Sequence, residues 1–166
     1  GVTSIGNRAF DGCFALAEVY NYSSLTISEL RPSYLTNYAK VIYNASDLTE
    51  GKPETRIRVE GDVQYYEDGS NLIALATAVA EESLTMVSLN DQTTEINQYA
   101  FSFCDSLTTI TIPDSVTSIG GWAFYGCDGL TSVDFGESSQ LKSIGRYSFG
   151  FCDSLTTITI PDSVTS

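Results

Sequence analysis

Apolar and polar residues alternate in several short stretches of the chain, most clearly around residue 110. After Leu107, the apolar Ile110 and Ile112 alternate with Thr109 and Thr111. Successive side chains of an extended chain point to opposite faces, so this period of two predicts a β-strand with one face buried and the other in solvent.

A bend, a second extended piece and a compact turn follow this strand. Pro113 ends the strand because proline cannot donate a ladder hydrogen bond, and SVTSIG then supplies the second extended piece. In WAFYGC, Ala123, Phe124 and Cys127 stand at positions i, i+1 and i+4. This spacing predicts a single helical or 3-10 turn that directs all three side chains inward.

The whole pattern repeats along the chain. FCDSLTTITIPDSVTS occurs at 103–118 and again, letter for letter, at 151–166. Units of 23, 23 and 25 residues run over 84–106, 107–129 and 130–154, and another begins at Leu155. A unit this small cannot bury its own apolar edge and becomes stable only against its neighbours, so the period predicts a β-rich repeat solenoid.

The regular pattern does not cover the first half of the chain. We predict an incomplete solenoid end at 1–21, a small irregular α+β insertion at 22–83, and regular repeats at 84–166, with both ends of the chain cut from a longer protein. The insertion is predicted to pack on the solenoid, because about 60 residues with so few apolar positions cannot form a separate core.

Two elements are predicted within the insertion. Leu35, Tyr38, Ala39 and Ile42 recur at helical spacing after a proline, which indicates a short helix. The stretch DVQYYEDGSNLIALA indicates a β-hairpin with a type I′ turn at Asp68-Gly69.

Composition excludes several classes of function. The chain carries 21 Asp and Glu against 8 Lys and Arg, a net charge of −13, which argues against nucleic acid and anionic membranes as partners. No stretch approaches the roughly 20 apolar residues that span a membrane, so no membrane insertion is predicted. The chain has no histidine and no glycine-rich phosphate loop. We therefore predict a protein that is not an enzyme and that uses no cofactor.

The repeated pattern SLTTITIPDSVTSIGGWAFYGC closely resembles the BspA-type, or treponemal, leucine-rich repeat. The resemblance covers residues 1–21 and 84–166. It implies a right-handed superhelix of the leucine-rich-repeat type, with short turns along one side, on the surface of a bacterial or protist cell. Such proteins are associated with adhesion and host-matrix binding, and the family supplies no catalytic residues to carry over.

Four cysteines share one position of the repeat: Cys13, Cys104, Cys127 and Cys152. Stacked rungs hold their Cβ vectors parallel, whereas a disulfide needs a torsion of about 90° between them. A straight column also cannot provide the tetrahedron that a zinc site requires. We therefore predict reduced thiols that form a structural ladder of small buried side chains, with no metal.

Acidic residues follow three of these cysteines, at Asp105, Asp128 and Asp153. Their place in a turn before a strand favours a capping role, in which the carboxylate accepts bonds from local backbone N–H groups. An adventitious Ca²⁺ site and a carboxylate pair of the glycosidase kind are the alternatives, and catalysis is disfavoured because a regular outer edge offers no desolvated cleft.

The candidate binding residues are aromatic. Tyr99, Trp122 and Tyr147 precede the inward residue of each turn and are predicted to point outward as a largely exposed platform, helped by Tyr65 and Tyr66 of the insertion. Mutual packing that shields the backbone is the structural alternative. Aromatic side chains provide large rigid contact areas at low entropic cost, as binding hot spots do.

These observations favour a non-catalytic recognition or adhesion module, extracellular or at the cell surface, that binds a protein or glycan. The alternatives are a structural stalk of a surface protein and an accessory carbohydrate-binding segment of a larger secreted enzyme. End-to-end self-association is also expected, because natural solenoids close their terminal rungs with polar caps and this segment ends in strand edges.

Overall fold

Short strands joined by turns make up most of the computed structural model, which describes residues 4–5, 9–13, 15–23, 39–77 and 81–166. Contacts divide the chain into two compact units, Gly1–Arg56 and Ile57–Ser166. This boundary lies inside the segment 22–83 that the sequence predicts as an insertion.

In the first unit, strand β1 (Glu18–Tyr20) pairs in parallel with β2 (Val41–Tyr43). The rings of Tyr20 and Tyr43 stack across this pair with their centroids 5.2 Å apart. A 3-10 turn at Ala45–Leu48 follows and buries Leu48.

The short helix predicted in this unit lies mostly outside the described residues, which omit Leu35 and Tyr38. Its last position is wrong, because Ile42 lies in strand β2. Ile42 instead lies opposite Val19 in the parallel pairing of β1 and β2.

The second unit contains the regular repeats, which form the rungs of a β-solenoid. Rungs 1, 2 and 3 are residues 84–106, 107–129 and 130–154, and rung 4 begins at residue 155. Their first strands are β6 (Met86–Ser88), β8 (Thr109–Thr111) and β10 (Ser132–Asp134). These three form one parallel sheet in the order β10, β8, β6.

Hydroxyl groups reinforce this stacking. The hydroxyl of Thr108 donates to the carbonyl of Thr85 at 3.1 Å, and that of Thr131 donates to Thr108 at 3.0 Å, each beside a parallel bond from the same residue's backbone N–H. Each threonine therefore contacts the rung 23 residues before it twice. Threonine suits this place because its branched side chain is stiff and favours extended backbone.

The second strands of the rungs are parallel and belong to a larger sheet: β7 (Thr93–Ile96), β9 (Ser118–Ile119) and β11 (Ser143–Ile144). Three further strands continue this sheet: β3 (Ile57–Glu60), β4 (Val63–Asp68) and β5 (Asn71–Thr77). The strand order is β11, β9, β7, β5, β4, β3. Because β5 pairs in parallel with β7, residues 71–77 lie in the same sheet as the repeats.

Strands β4 and β5 form the hairpin expected from the sequence, but its turn is different. Asp68 pairs with Asn71, so the turn residues are Gly69 and Ser70. Of these two, Gly69 alone has a positive φ, of 65°. A type I′ turn needs a positive φ at both positions, so the predicted type is wrong and the geometry fits a type II′ turn with glycine first.

The core of this unit repeats from rung to rung. The predicted inward positions Leu107, Ile110 and Ile112 are all buried, whereas Thr109 and Thr111 are exposed. The turn residues Ala123, Phe124 and Cys127 are also buried, as their spacing predicted. The apolar positions of each rung thus form columns through a single core.

Candidate functional site

The turns of successive rungs lie above one another and form the surface that we call the turn edge, residues 97–104, 120–127 and 145–152. Backbone N–H groups of one turn donate to carbonyls of the next. Tyr99 donates to Gly121 at 3.2 Å, Phe101 to Ala123 at 2.8 Å, and Phe103 to Tyr125 at 2.7 Å. The turn edge is therefore a third ladder of inter-rung hydrogen bonds.

The turns of this edge are not helical, so the predicted helical or 3-10 turn is wrong. Five aromatic residues have left-handed backbone, with φ between 55° and 60°: Tyr99, Phe103, Trp122, Tyr147 and Phe151. The left-handed residue donates its own N–H to the neighbouring rung, as Trp122 does to Arg146, and the N–H that follows it closes the turn on its own rung, as Ala123 does to Gly120. Bulky side chains are rare there because Cβ crowds the following carbonyl oxygen.

An inner column of stacked rings anchors the turn edge to the core. The ring centroids of Phe101 and Phe124 are 5.4 Å apart at 11°, and those of Phe124 and Phe149 are 5.2 Å apart at 3°. Phe101 and Phe124 are fully buried. This packing fixes each turn, and with it the side chains that point out of it.

Three cysteines lie beside these rings as the predicted ladder. Cys104, Cys127 and Cys152 are buried free thiols. The Cys127 thiol donates to the carbonyl of Phe101 and the Cys152 thiol to that of Phe124, both at 3.1 Å. A hydrogen bond with Cys104, together with burial, raises the pKa of Cys127, and burial raises the pKa of Cys152 to about 11. Protonated thiols of this kind are chemically inert.

The fourth cysteine of the predicted ladder differs. Cys13 is a free thiol like the others, but it is exposed. The prediction of a small buried side chain is therefore wrong for Cys13. The sequence motif AFxxC is present there, but burial of its cysteine depends on neighbouring chain that the motif alone does not specify.

Tyr99, Trp122 and Tyr147 form the predicted outward column. The rings of Tyr99 and Trp122 stack at 5.3 Å and 6°, and those of Trp122 and Tyr147 lie 5.9 Å apart at 40°. Tyr147 is 50% exposed, whereas Trp122 is half-buried because a tyrosine lies on each side of it. The prediction of a largely exposed tryptophan is therefore wrong.

A second outward column was missed by the sequence analysis. Phe103 and Tyr125 meet edge to face with centroids 5.6 Å apart, and Tyr125 lies 5.1 Å from Phe151 at 59°. Phe103 is 57% exposed and Phe151 is 64% exposed. Glycine makes room for these rings, since a Cβ on Gly126 would come within 2.8 Å of the Phe103 ring.

Asp105, Asp128 and Asp153 stand two residues after the equivalent positions Phe103, Gly126 and Phe151, and all three aspartates are exposed. Among the described residues, no backbone N–H donates to any of these three carboxylates, so the predicted capping role is wrong. Within the described residues, no group of three or more His, Cys, Asp or Glu side chains is placed to hold a metal ion.

The other two predicted binding residues, Tyr65 and Tyr66, are buried and cannot contact a partner. The Tyr65 hydroxyl accepts a hydrogen bond from the backbone N–H of Asn90 at 3.0 Å, and burial raises the pKa of Tyr65. These tyrosines belong to the core of the hairpin.

A cleft of about 790 Å³ opens on another side of the second unit, between β10, the longer bend of rung 3 and residues 159–163. Its lining is mostly serine, threonine and acidic residues, without histidine or cysteine. The turn edge, by contrast, carries three exposed aromatic side chains, those of Phe103, Tyr147 and Phe151.

Comparison with known families agrees with this architecture. The sequence model described as BspA type leucine rich repeat region matches residues 76–166 in six copies. The chain belongs to this family of BspA-type repeats. None of the curated proteins matches the chain.

One solved structure is similar to these BspA-type repeats. It is the crystal structure of a leucine rich cell surface protein from Faecalibacterium prausnitzii, with 28% sequence identity and a TM-score of 0.53. The match covers 70% of this chain and 33% of that protein, so the chain spans about a third of its length. Among the described residues, no helix is long and apolar enough to cross a membrane.

Proposed function

We propose that this chain is a non-catalytic recognition module of a cell-surface protein and that the turn edge is its binding surface. The BspA-type repeats and the similarity to a leucine rich cell surface protein support the surface location. The single observation that carries the binding role is the second aromatic column, whose Phe103 and Phe151 are 57% and 64% exposed.

The backbone conformation of these two residues also favours a binding role. Phe103 and Phe151 have left-handed φ values of 60° and 56°, a conformation that costs a residue with Cβ about 1–2 kcal/mol and costs glycine almost nothing. Gly126 occupies the corresponding position in rung 2. Because both rings are mostly in solvent, burial offsets little of this cost, and a role in contact with a partner accounts for them better than packing does.

The test uses arrays of immobilised extracellular-matrix proteins and of glycans. We expect the double variant Phe103→Ser/Phe151→Ser to lose its array signals while its thermal midpoint stays within a few degrees of the parent. The matched control is Val59→Ser/Met86→Ser, since these two residues are each 64% exposed but lie on strands β3 and β6. Equal signals from both double variants would overturn the proposal and favour a stalk.

We also propose that the molecule self-associates through rung 4. Residues 155–160 form no strand, and Ile158 and Ile160 are 36% and 45% exposed. Backbone that pairs with no neighbouring strand and carries exposed apolar side chains is a template for pairing with another chain. Light scattering should detect oligomers that Ile158→Thr/Ile160→Thr abolishes, and a strict monomer at high concentration would contradict this proposal.

A further inference from the structure

We infer that the turn edge binds an arginine-rich, cationic polypeptide segment of a partner protein. This inference rests on the proposed function and names the partner's chemistry. Three features of the edge support it: the ring faces that neighbouring rings leave uncovered, the negative charge close to them, and the guanidinium of Arg146 on a tyrosine ring.

The first column offers few ring faces to a ligand. Trp122 has Tyr99 on one side, with the rings 6° from parallel, and Tyr147 on the other. The guanidinium of Arg146 also lies 4.8 Å from the centroid of the Tyr147 ring. A sugar that stacks on an aromatic residue needs a free face, so this column is a poor platform for glycans.

The second column has rings at steep angles to each other, so each contact covers the face of one ring, whereas a parallel stack covers a face of both. Phe103 and Tyr125 are 80° apart, and Tyr125 and Phe151 are 59° apart. Gly126 lies beneath the Phe103 ring, and a Cβ on Gly150 would come within 3.2 Å of the Tyr125 ring. These rings therefore rest on backbone and present rigid apolar faces to solvent.

Charge decides which partner fits these faces. Asp105 and Asp153 follow Phe103 and Phe151 by two residues, so each of these rings has an exposed carboxylate close to it along the chain. Among residues 81–166 the basic residues are Lys142 and Arg146, against eleven Asp and Glu. Within the described residues, no ion pair involves Asp105, Asp128 or Asp153, which directly follow the three turns of the edge, so their charge is available to a cationic partner.

Arginine fits this combination better than lysine. The guanidinium group is planar, stacks on aromatic faces and pairs with a carboxylate through two parallel hydrogen bonds, whereas an ammonium group is a compact, strongly hydrated charge. The contact between Arg146 and Tyr147 shows one guanidinium already held on this surface. Each rung carries one ring of this column and one carboxylate, and successive rungs are about 4.8 Å apart. Several arginines of one segment can therefore bind along the edge, one to each rung.

The test compares nona-arginine with nona-lysine, which carry the same charge, in calorimetric titrations of the whole chain at 0.15 M NaCl. We expect nona-arginine to bind several-fold more tightly than nona-lysine. The triple variant Asp105→Asn/Asp128→Asn/Asp153→Asn should weaken nona-arginine binding about tenfold, because it removes the three carboxylates that directly follow the turns of the edge.

The matched control is Asp91→Asn/Glu137→Gln/Asp162→Asn. It changes the net charge by the same amount at exposed residues away from the turn edge, and it should weaken binding less than threefold. Equal losses from both triple variants, or equal affinities for the two peptides, would overturn the inference.

Failure of this inference is distinguishable from failure of the proposed function. If the array signals depend on Phe103 and Phe151 while nona-arginine binds no better than nona-lysine, the edge is a binding surface with a different partner and the inference is wrong. If nona-arginine binding depends on the three aspartates while both double variants give equal array signals, the arginine site stands and the adhesion role is wrong.

Discussion

The same sixteen residues occur twice in this molecule and adopt two structures. In the first copy, 103–118, they form strand β8 and begin β9, with Ile110 and Ile112 at most 2% exposed. In the second copy, 151–166, they form no strand, and Ile158 and Ile160 are 36% and 45% exposed. Identical local preferences therefore do not decide the outcome.

The two copies agree at their beginnings and near their ends. Phe103 and Phe151 share the left-handed conformation, and Cys104 and Cys152 are both buried. Near the end, Thr165 donates to the carbonyl of Lys142 at 2.9 Å, as Thr117 donates to that of Thr94 at 2.8 Å. The main difference lies in the middle, where residues 155–160 form no strand, and at the last residue, since Ser118 begins β9 and Ser166 lies in no strand.

Neighbouring chain explains this difference. Strand β8 has β6 on one side and β10 on the other. The corresponding part of the second copy faces β10 across the cleft, where the bend of rung 3 is two residues longer than that of rung 2. Whether a segment of this solenoid forms a strand therefore depends on the rungs beside it. This is expected of a protein whose repeats contact only their neighbours.

The largest expected effect comes from breaking the contact between rungs 1 and 2. A Cβ on Gly120 would lie 2.4 Å from the backbone nitrogen of Gln98, which cannot move without separating the rungs. We expect Gly120→Ala to lower the free energy of unfolding by about 3 kcal/mol or more, as measured by urea denaturation.

Gly121→Ala is the matched control for that change. Its nearest contact would be the carbonyl oxygen of Arg146 at 3.2 Å, which can be relieved by a small shift, so the loss should stay below about 1 kcal/mol. Equal losses from the neighbouring glycines would show that the inter-rung spacing is not tightly set.

The next effect compares equivalent isoleucines in the two copies. Ile110 is buried between two strands, so Ile110→Ala should cost about 3 kcal/mol through the lost apolar contacts and the cavity left behind. Ile158 is 36% exposed and lies outside any strand, and Ile158→Ala should cost less than about 1 kcal/mol. Equal costs in urea denaturation would mean that the second copy folds like the first.

Alkaline pH should reveal the buried thiol of the second copy. Burial raises the pKa of Cys152 from 9.0 to about 11. The folded state therefore keeps a proton that the unfolded state releases first, so this contribution is complete below pH 9 and is lost as the pH rises to 11. The loss should reach about 2 kcal/mol, measured as denaturation midpoints against pH. Cys152→Ala should flatten this decline, and an unchanged slope would contradict the burial of the thiol.

The smallest effect concerns the aromatic residues that begin the two copies. Phe151→Gly relieves a φ of 56° and loses contact with the Tyr125 ring, so the free energy of unfolding should change by less than about 1 kcal/mol. Phe103→Gly should be slightly more destabilising, because the Phe103 ring packs over Gly126. A loss above about 2 kcal/mol for Phe151→Gly in thermal denaturation would assign this ring to packing.

Periodicity made much of the fold predictable. The 23-residue period follows from the repeated sequence, and the inward positions Leu107, Ile110 and Ile112 follow from the apolar pattern within each unit. The conformation of the turns did not, because inward residues at i, i+1 and i+4 suit both a helical turn and a run of left-handed turns. Gly126 carried a signal, since a glycine at the position of Phe103 and Phe151 marks a backbone that favours positive φ.

The candidate site was only partly predictable. The column of Tyr99, Trp122 and Tyr147 could be read because its members stand at one repeat position. The second column could not, because Tyr125 stands one position earlier in its rung than Phe103 and Phe151 do in theirs. Burial of both Tyr65 and Tyr66 could not be predicted for another reason. Adjacent residues of a strand face opposite sides, and the sequence does not show that both faces of β4 are covered.

The threonine hydroxyls restrict how such a chain can change length during evolution. Each bond from Thr108 to Thr85 and from Thr131 to Thr108 joins residues 23 positions apart. Duplicating or deleting a whole rung preserves every such pair, whereas one added residue within a strand would turn its isoleucines to solvent and its threonines inward. The chain can therefore lengthen or shorten by whole rungs. Smaller insertions are confined to bends such as that of rung 3, where two extra residues fit.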